Sequence, residues 1–413
     1  MKVLLVHNWY GSSAPSGENA VVLAEKQLLQ AHGIQVIEYF KYSDGIRNLG
    51  LVGKILGGLA TPFNPFTYFQ FRALLRRERP DVVHVHNFFP LISPAVFYAA
   101  HHQGVASVMT LHNYRIGCGA GLPFREEETC LRCLEGQSVR PLLRFRCYRN
   151  SLAASLPMAA MIALHRRLHT WRRRVDRFIT LTDFYSQIMR VTGLIPESSM
   201  RKKPQFMANP PEPMHFRTRP IKALYVGRIS VEKGVSSLLE AWRQWGADAP
   251  VLHIVGDGPD LDKLRSNYAD VKVNWHGKLP SDETLEVMRS AQLLIIPSIC
   301  FEGFPMVVRE ALACAVPILA SRIGPMEEFV LPAFGELFKP GDSAQLLDKA
   351  RGLLDEDSPR LAGMSQQARM EFDGKYTARV NFERLMSIYR EAIAIHKRKR
   401  LEHSGSRTPP HTG

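Results

Sequence analysis

Short apolar runs alternate with amphipathic stretches along most of the chain. Runs at 2–7, 35–40, 81–86, 105–111 and 178–181 predict strands. Between the first two lies 18–32, whose apolar Val21, Val22, Ala24, Leu28 and Leu29 follow a helical period, with Gly33 at the position that ends a helix. Helices are also predicted over 93–102, 155–175 and from Thr182 to Gly193. The stretch Asn209-Pro210-Pro211-Glu212-Pro213 breaks regular structure and reads as a linker. Beyond it the rhythm resumes: strands at 222–226, 251–255, 271–276, 293–296 and 317–320, a strand and turn over 335–342, and helices at 235–245, 261–268, 305–315 and 344–354. From Gly363 the pattern is helical to about Lys397, and a polar tail follows. Strand, helix, parallel strand is the repeating unit of an α/β sheet, so two α/β domains are predicted, 1–212 and 213–378.

Candidate chemistry collects at strand ends, where open parallel sheets receive ligands. Gly11 to Gly17 is a loop of small residues after the first strand, and His112 follows the run at 105–111. An imidazole there would carry a charge switch near neutral pH. Arg228 and Lys233 bracket the loop after 222–226, a natural pair of cations for a diphosphate. Gly256-Asp257-Gly258-Pro259 resembles a dinucleotide fingerprint, but Leu261 stands where the third glycine belongs, which argues against nicotinamide. In Glu302-Gly303-Phe304-Pro305 the proline suits a first helical position, leaving the Gly303 and Phe304 N–H groups at the positive end of a helix. Glu302 and Glu310 then suit hydroxyl recognition. Eight helical residues would span about 12 Å, too far for a glycosidase carboxylate pair.

Composition narrows the picture. The chain has 413 residues, 45% hydrophobic and 22% charged, as a folded protein should. No apolar run reaches the ~18–20 residues of a spanning helix, and the opening MKVLLVHNWYG is too short for a signal peptide, so a cytoplasmic location is expected. The net charge of +14 is uneven: 140–203 holds fourteen Lys and Arg against Asp176, Asp183 and Glu197. Arg166, Arg167 and Arg172 to Arg174 with Trp171 would form a basic, interface-seeking face, suited to anionic lipid at the inner membrane surface. Residues 45–71 mix glycines with large apolar residues and hold no acid, which fits irregular core or a lipid-facing surface. Regularly interleaved aromatics are lacking in the basic window, so nucleic acid is not an expected partner. Cys118, Cys130, Cys133 and Cys147 lie in an insertion at 115–150. Their loose outer spacings leave structural zinc, free thiols and a redox pair all open.

Together these motifs resemble the retaining, nucleotide-sugar-dependent glycosyltransferases of family 4, in particular bacterial enzymes of exopolysaccharide or cell-surface glycan assembly. The resemblance rests on Gly227-Arg228 with Glu232-Lys233-Gly234, on 255–259, on 302–305 with Glu310, on 316–321 and on 335–342. It implies a GT-B fold, two Rossmann-like domains facing a central cleft, with a helix at 379–397 crossing back to the first domain ahead of a disordered tail at 398–413. It further implies a UDP- or GDP-linked sugar donor, no metal required for catalysis, and a glycan or lipid-linked acceptor. Arg228 and Lys233 would hold the diphosphate, Glu310 the ribose, and Glu302 with the Gly303–Phe304 backbone the hexose. Gly256 and Gly258 lie among the donor motifs, and His112 and Gly17 would lie near the transferred sugar. Two departures stand out: Ser16 precedes Gly17 where paired glycines are usual, and Pro325 follows Gly324. The alternatives are a nucleotide-sugar epimerase or phosphorylase on the same fold and, behind these, a basic nucleic-acid-binding protein.

Overall fold

The computed structural model describes residues 1–9, 17–44, 50–355 and 360–405. The chain divides into two units: 1–122 with 131–203 and 381 onward, and 204–380 with the short segment 123–130.

The first unit is built on a parallel sheet of β1 (Lys2–Trp9), β2 (Gln35–Tyr42), β3 (Val82–Asn87), β4 (Ala106–Leu111), β7 (Arg177–Thr180) and β8 (Met200–Lys202), in the order β2-β1-β3-β4-β7-β8. Here β5 (Phe124–Arg125) and β6 (Glu128–Thr129) are a small antiparallel hairpin that groups with the second unit. Every residue of β3, β4 and β7 is buried, the polar His84, His86, Ser107, Thr110, Arg177 and Thr180 included. β8 was not foreseen: Arg201 and Lys202 continue the sheet at its edge, where charge is tolerated. The helix Gly17–Ala31 turns Val21, Val22, Leu28 and Leu29 inward.

The helix expected over 155–175 is two, Leu152–Arg167 and Thr170–Arg174, parted where His169 takes a left-handed φ of 52°. That break turns Trp171 inward, stacked on Phe88 at 5.7 Å and edge-on to Phe97 at 5.9 Å. Trp171 is 1% exposed, so it serves the core and not an interface. The last helix, Ala378–Gly405, lays Leu385, Ile388, Tyr389 and Ala392 on Val3, Leu5, Val82 and Val108 of the first sheet. Glu391 receives Arg177 and Arg201, and Asp176 receives His396 and Lys399, fixing its register. The helix runs to Gly405, so 398–405, expected in a disordered tail, are helical; 406–413 lie outside the described residues.

In the second unit β9 (Ile221–Val226), β10 (Leu252–Val255), β11 (Val273–Gly277), β12 (Ala291–Ile296), β13 (Ile318–Ser321) and β14 (Gly335–Phe338) form a parallel sheet ordered β11-β10-β9-β12-β13-β14. This is the Rossmann order, reversing direction between β9 and β12. The helix Val235–Trp245 fills its expected span, and Ser281–Arg289 adds one that was not predicted. Buried Arg219 donates to the carbonyls of Met214, Ala291, Cys314 and Ala315, capping the helix Met306–Ala313 and tying it to the linker.

Candidate functional site

Where β9 and β12 part, the loops after them meet. Gly234 (φ 67°) lies so close to the Pro297 carbonyl that a Cβ would stand 2.0 Å from its oxygen, and Ile299 N–H donates to the Glu232 carbonyl at 3.0 Å. Contact between the loops puts the Lys233 ammonium 2.8 Å from Glu302 Oε1, and the Ser298 hydroxyl donates to the same carboxylate at 2.7 Å. Burial opposes both charges, yet each outweighs that cost for the other: Glu302 sits below its ordinary value and Lys233 above. Arg228 is exposed at the start of the same loop, its carbonyl receiving the Tyr225 hydroxyl at 2.7 Å.

Pro305 caps the helix Met306–Ala313 one residue before its first turn, a position later than expected. Phe304 is anchored edge-on to Phe329 at 4.9 Å and faces Tyr376 at 6.2 Å. Among the described residues no protein acceptor meets the Gly303 and Phe304 N–H groups. Glu310 is paired with Arg309 at 3.3 Å, and Arg309 donates to the Phe206 carbonyl. Burial holds the Glu310 carboxyl above its ordinary value, the guanidinium offsetting part of that rise. Both glutamates thus have a cationic partner within the protein. Gly256 and Gly258 have a packing role of their own: a Cβ there would stand 1.8 Å from the Gly227 carbonyl oxygen and 2.0 Å from that of Ile229. They let the Arg228 loop lie on the next one.

At the carboxyl edge of the first sheet, a small pocket is lined by His86, Asn87, Phe89, His112, Asn113 and Arg115. Beneath it lies a buried network. Glu25 Oε2 accepts from Lys203 Nζ at 2.9 Å, and its Oε1 lies 3.1 Å from His86 Nε2 and 2.9 Å from His84 Nδ1. His86 Nδ1 is 3.1 Å from His112 Nε2. Burial and the neighbouring His84 lower His86 to about 4, so it is neutral. A neutral His86 donating from Nε2 to Glu25 must accept at Nδ1, which makes His112 the Nε2–H tautomer. His112 Nδ1 is then a bare lone pair, buried with no protein partner among the described residues. Burial and the adjacent His86 and His7 hold His112 well below its ordinary range, so it does not switch charge near neutral pH as expected.

Gly17, exposed, opens the helix Gly17–Ala31, and Glu18 beside it accepts from Asn113 at 2.8 Å; Gly11 to Ser16 lie outside the described residues. Sequence reasoning missed Glu25, although it interrupts the apolar stripe 21, 22, 25, 28, 29. It also missed Arg115, whose guanidinium lies 4.6 Å over the Phe89 ring with buried Nε and Nη1 lacking acceptors.

Cys130 belongs to the second unit, and Cys118, Cys133 and Cys147 to the first; among the described residues the one grouping of three candidate ligand atoms is Glu25, His84 and His86. There the Lys203 ammonium already holds the cation's place.

The buried histidines carry a pH dependence. Burial lowers His7 and His86 to about 4 from 6.5, so on acidification the unfolded chain takes up protons first. Stability is present above about pH 6.5 and is lost as pH falls toward 4. Glu25, held well below its ordinary value with Lys203 as the largest favourable contributor against burial, extends the loss further down. Calorimetric Tm should fall steadily from pH 7 to pH 4.5; a flat Tm over that span would contradict the neutral assignment.

Residues 211–371 match the family described as Glycosyl transferases group 1, and residues 17–200 match Glycosyltransferase Family 4. With two Rossmann-like sheets, the chain belongs to the family 4 glycosyltransferases of GT-B fold. It is 26% identical over 343 residues, 78% of this chain and 73% of the relative, to a 2-deoxystreptamine N-acetyl-D-glucosaminyltransferase of Streptomyces fradiae. A GDP-mannose-dependent phosphatidylinositol monomannoside mannosyltransferase of Corynebacterium glutamicum is 30% identical over 49% of this chain and 53% of its own. Among solved structures, Anabaena HepE in complex with UDP superposes with a TM-score of 0.63 at 16% identity, over 94% of this chain and 99% of that one.

Proposed function

We propose that this glycosyltransferase moves a hexosyl group, with retention of anomeric configuration, from a UDP- or GDP-linked sugar to a glycan or lipid-linked acceptor in surface polysaccharide synthesis. The observation that carries it is the Lys233–Glu302 pair at the reversal point between β9 and β12, beside the exposed Arg228. Arg228, Lys233 and the Gly303 and Phe304 N–H groups supply positive charge for a leaving diphosphate, so no divalent metal is needed for that task. Glu302, oriented by Lys233 and Ser298, accepts from hexose hydroxyls. Glu310 accepts from the ribose, whose hydroxyls relieve a carboxylate that burial leaves under-solvated. In the first unit, His112 Nδ1 offers a fixed acceptor to a sugar hydroxyl, and Arg115 offers a cation to an acidic group of the acceptor.

UDP-glucose complexes of HepE and the GDP-mannose-dependent relative support a nucleotide-sugar donor. Among the described residues no helix is long and apolar enough to cross a membrane, so a lipid-linked acceptor would be met at a bilayer surface. The test is a donor and acceptor panel read as nucleoside diphosphate release, with the product anomer determined by NMR. Release that requires acceptor and a retained anomer are expected. Sugar epimerisation without nucleotide release, or an inverted product, would overturn the proposal.

A further inference from the structure

The helix Gly50–Ala60 is packed inside out for a water-facing helix. Three of its four glycines face inward: Gly53 and Gly57 are buried, and a Cβ on Gly58 would stand 3.3 Å from Pro157 of the helix Leu152–Arg167. Its large apolar residues point outward, with Val52 61%, Ile55 55%, Leu56 51% and Leu59 73% exposed. On the next helix, Pro65–Glu78, Phe71 and Leu75 fill the core while Phe66 and Phe69 are 77% and 64% exposed. Leu152 and Leu156 are exposed on the helix that Gly58 abuts. Singly exposed apolar side chains are ordinary, whereas a whole helix face of them marks a contact surface.

The charges nearby say what that surface meets. Lys54, Arg76, Arg77, Arg167, Arg172 and Arg173 are exposed on the same three helices and the short one that follows. Glu78 is the single acid in 50–78, and it is engaged by Lys2 and Arg77; no acid occurs in 136–175. An isologous contact between two copies would set these cations against their own counterparts, with no acid on the face to offset them. An apolar helix face flanked by cations instead suits acyl chains below anionic headgroups.

We infer that the helices Gly50–Ala60 and Pro65–Glu78 dock the first unit on an anionic lipid bilayer, with Ile55, Leu56, Leu59, Phe66 and Phe69 entering the headgroup boundary. This deepens the lipid-linked acceptor proposal and rests on it only for its purpose, since the exposed face stands by itself. The test is co-sedimentation of the full chain, without donor, on phosphatidylglycerol-containing and on pure phosphatidylcholine vesicles. Strong binding to the anionic vesicles is expected. Ile55→Ser/Leu56→Ser/Leu59→Ser should weaken it by at least about tenfold through loss of inserted apolar area. Lys54→Gln/Arg76→Gln/Arg77→Gln should remove the anionic preference. All six positions are exposed, so an unchanged melting curve checks the fold. Undiminished binding by the serine variant would overturn the inference. So would a wild-type dimer in sedimentation velocity that the serine variant abolishes, because a second copy would then cover the face. Donor affinity measured on the same samples without vesicles separates the two claims: its absence alongside intact vesicle binding would fault the transferase proposal only.

Discussion

Replacing Lys203 by alanine is expected to cost roughly 3–5 kcal/mol, the largest single stability loss in the first unit. Its ammonium is 3% exposed and Glu25 1%, and besides Glu25 it donates to Asn381 Oδ1 at 3.2 Å. Without Lys203 a fully buried carboxylate keeps only imidazole partners. It must then take up a proton or draw one onto His86, and either change unsettles the tautomer of His112. Asn381 lies on the helix Ala378–Gly405, so amide exchange along that helix should accelerate. Urea unfolding measures the loss. A double variant, Glu25→Gln with Lys203→Met, should lose less than the sum of the single changes, because no charge is left unpaired. A single-variant loss below about 0.5 kcal/mol would mean the pair is solvated and the network is not a fixed one.

The second large effect is functional. Lys233→Ala should lower transfer by about 10²–10³ while leaving the fold nearly unchanged, the usual scale for removing a charge or donor that stabilises a leaving group. Lys233 is a quarter exposed and reaches Glu302 from a loop whose path is set by Gly234 and by the Ile299–Glu232 backbone bond, not by the ammonium. In the variant Glu302 keeps Ser298 but loses its counter-charge, so its carboxyl should rise from its depressed position. Activity on the acid side of the profile should fall accordingly. Turnover within about threefold of wild type would show that Lys233 is only a structural partner of Glu302.

Much of the scaffold was legible because local pattern and tertiary role agree. The helix Val235–Trp245 has Val235, Leu238, Leu239 and Trp242 on one face and Gly246 after it, and that face is the buried one. Strand β12 reads as Leu293-Leu294-Ile295-Ile296 because that run is wholly buried, as a strand inside a parallel sheet is. What escaped the sequence is set by distant partners. Nothing near Glu302 announces Lys233, and only the β9–β12 adjacency brings them together. Arg201 and Lys202 are polar enough for a turn, yet pairing with β7 makes them strand. Trp171 looked like an interface anchor until a left-handed His169 turned it into the core. The helix Gly50–Ala60 defied the usual pattern because glycine, not leucine, is its packing residue. Two signals were present and unread. His84 and His86 are two apart in a strand, on one face, and Glu25 sits in the apolar stripe of a helix. Together they indicate a buried acid facing two imidazoles.

The central claim is that the loops at the β9–β12 reversal hold a nucleotide-sugar donor. Calorimetric titration of UDP-glucose and GDP-mannose into wild type, Lys233→Ala and Glu310→Ala tests it most directly. At least one donor should bind the wild type, and each variant should bind it about tenfold or more weakly, with Tm changed by no more than a few degrees. Donor affinity unchanged in both variants would contradict the assignment.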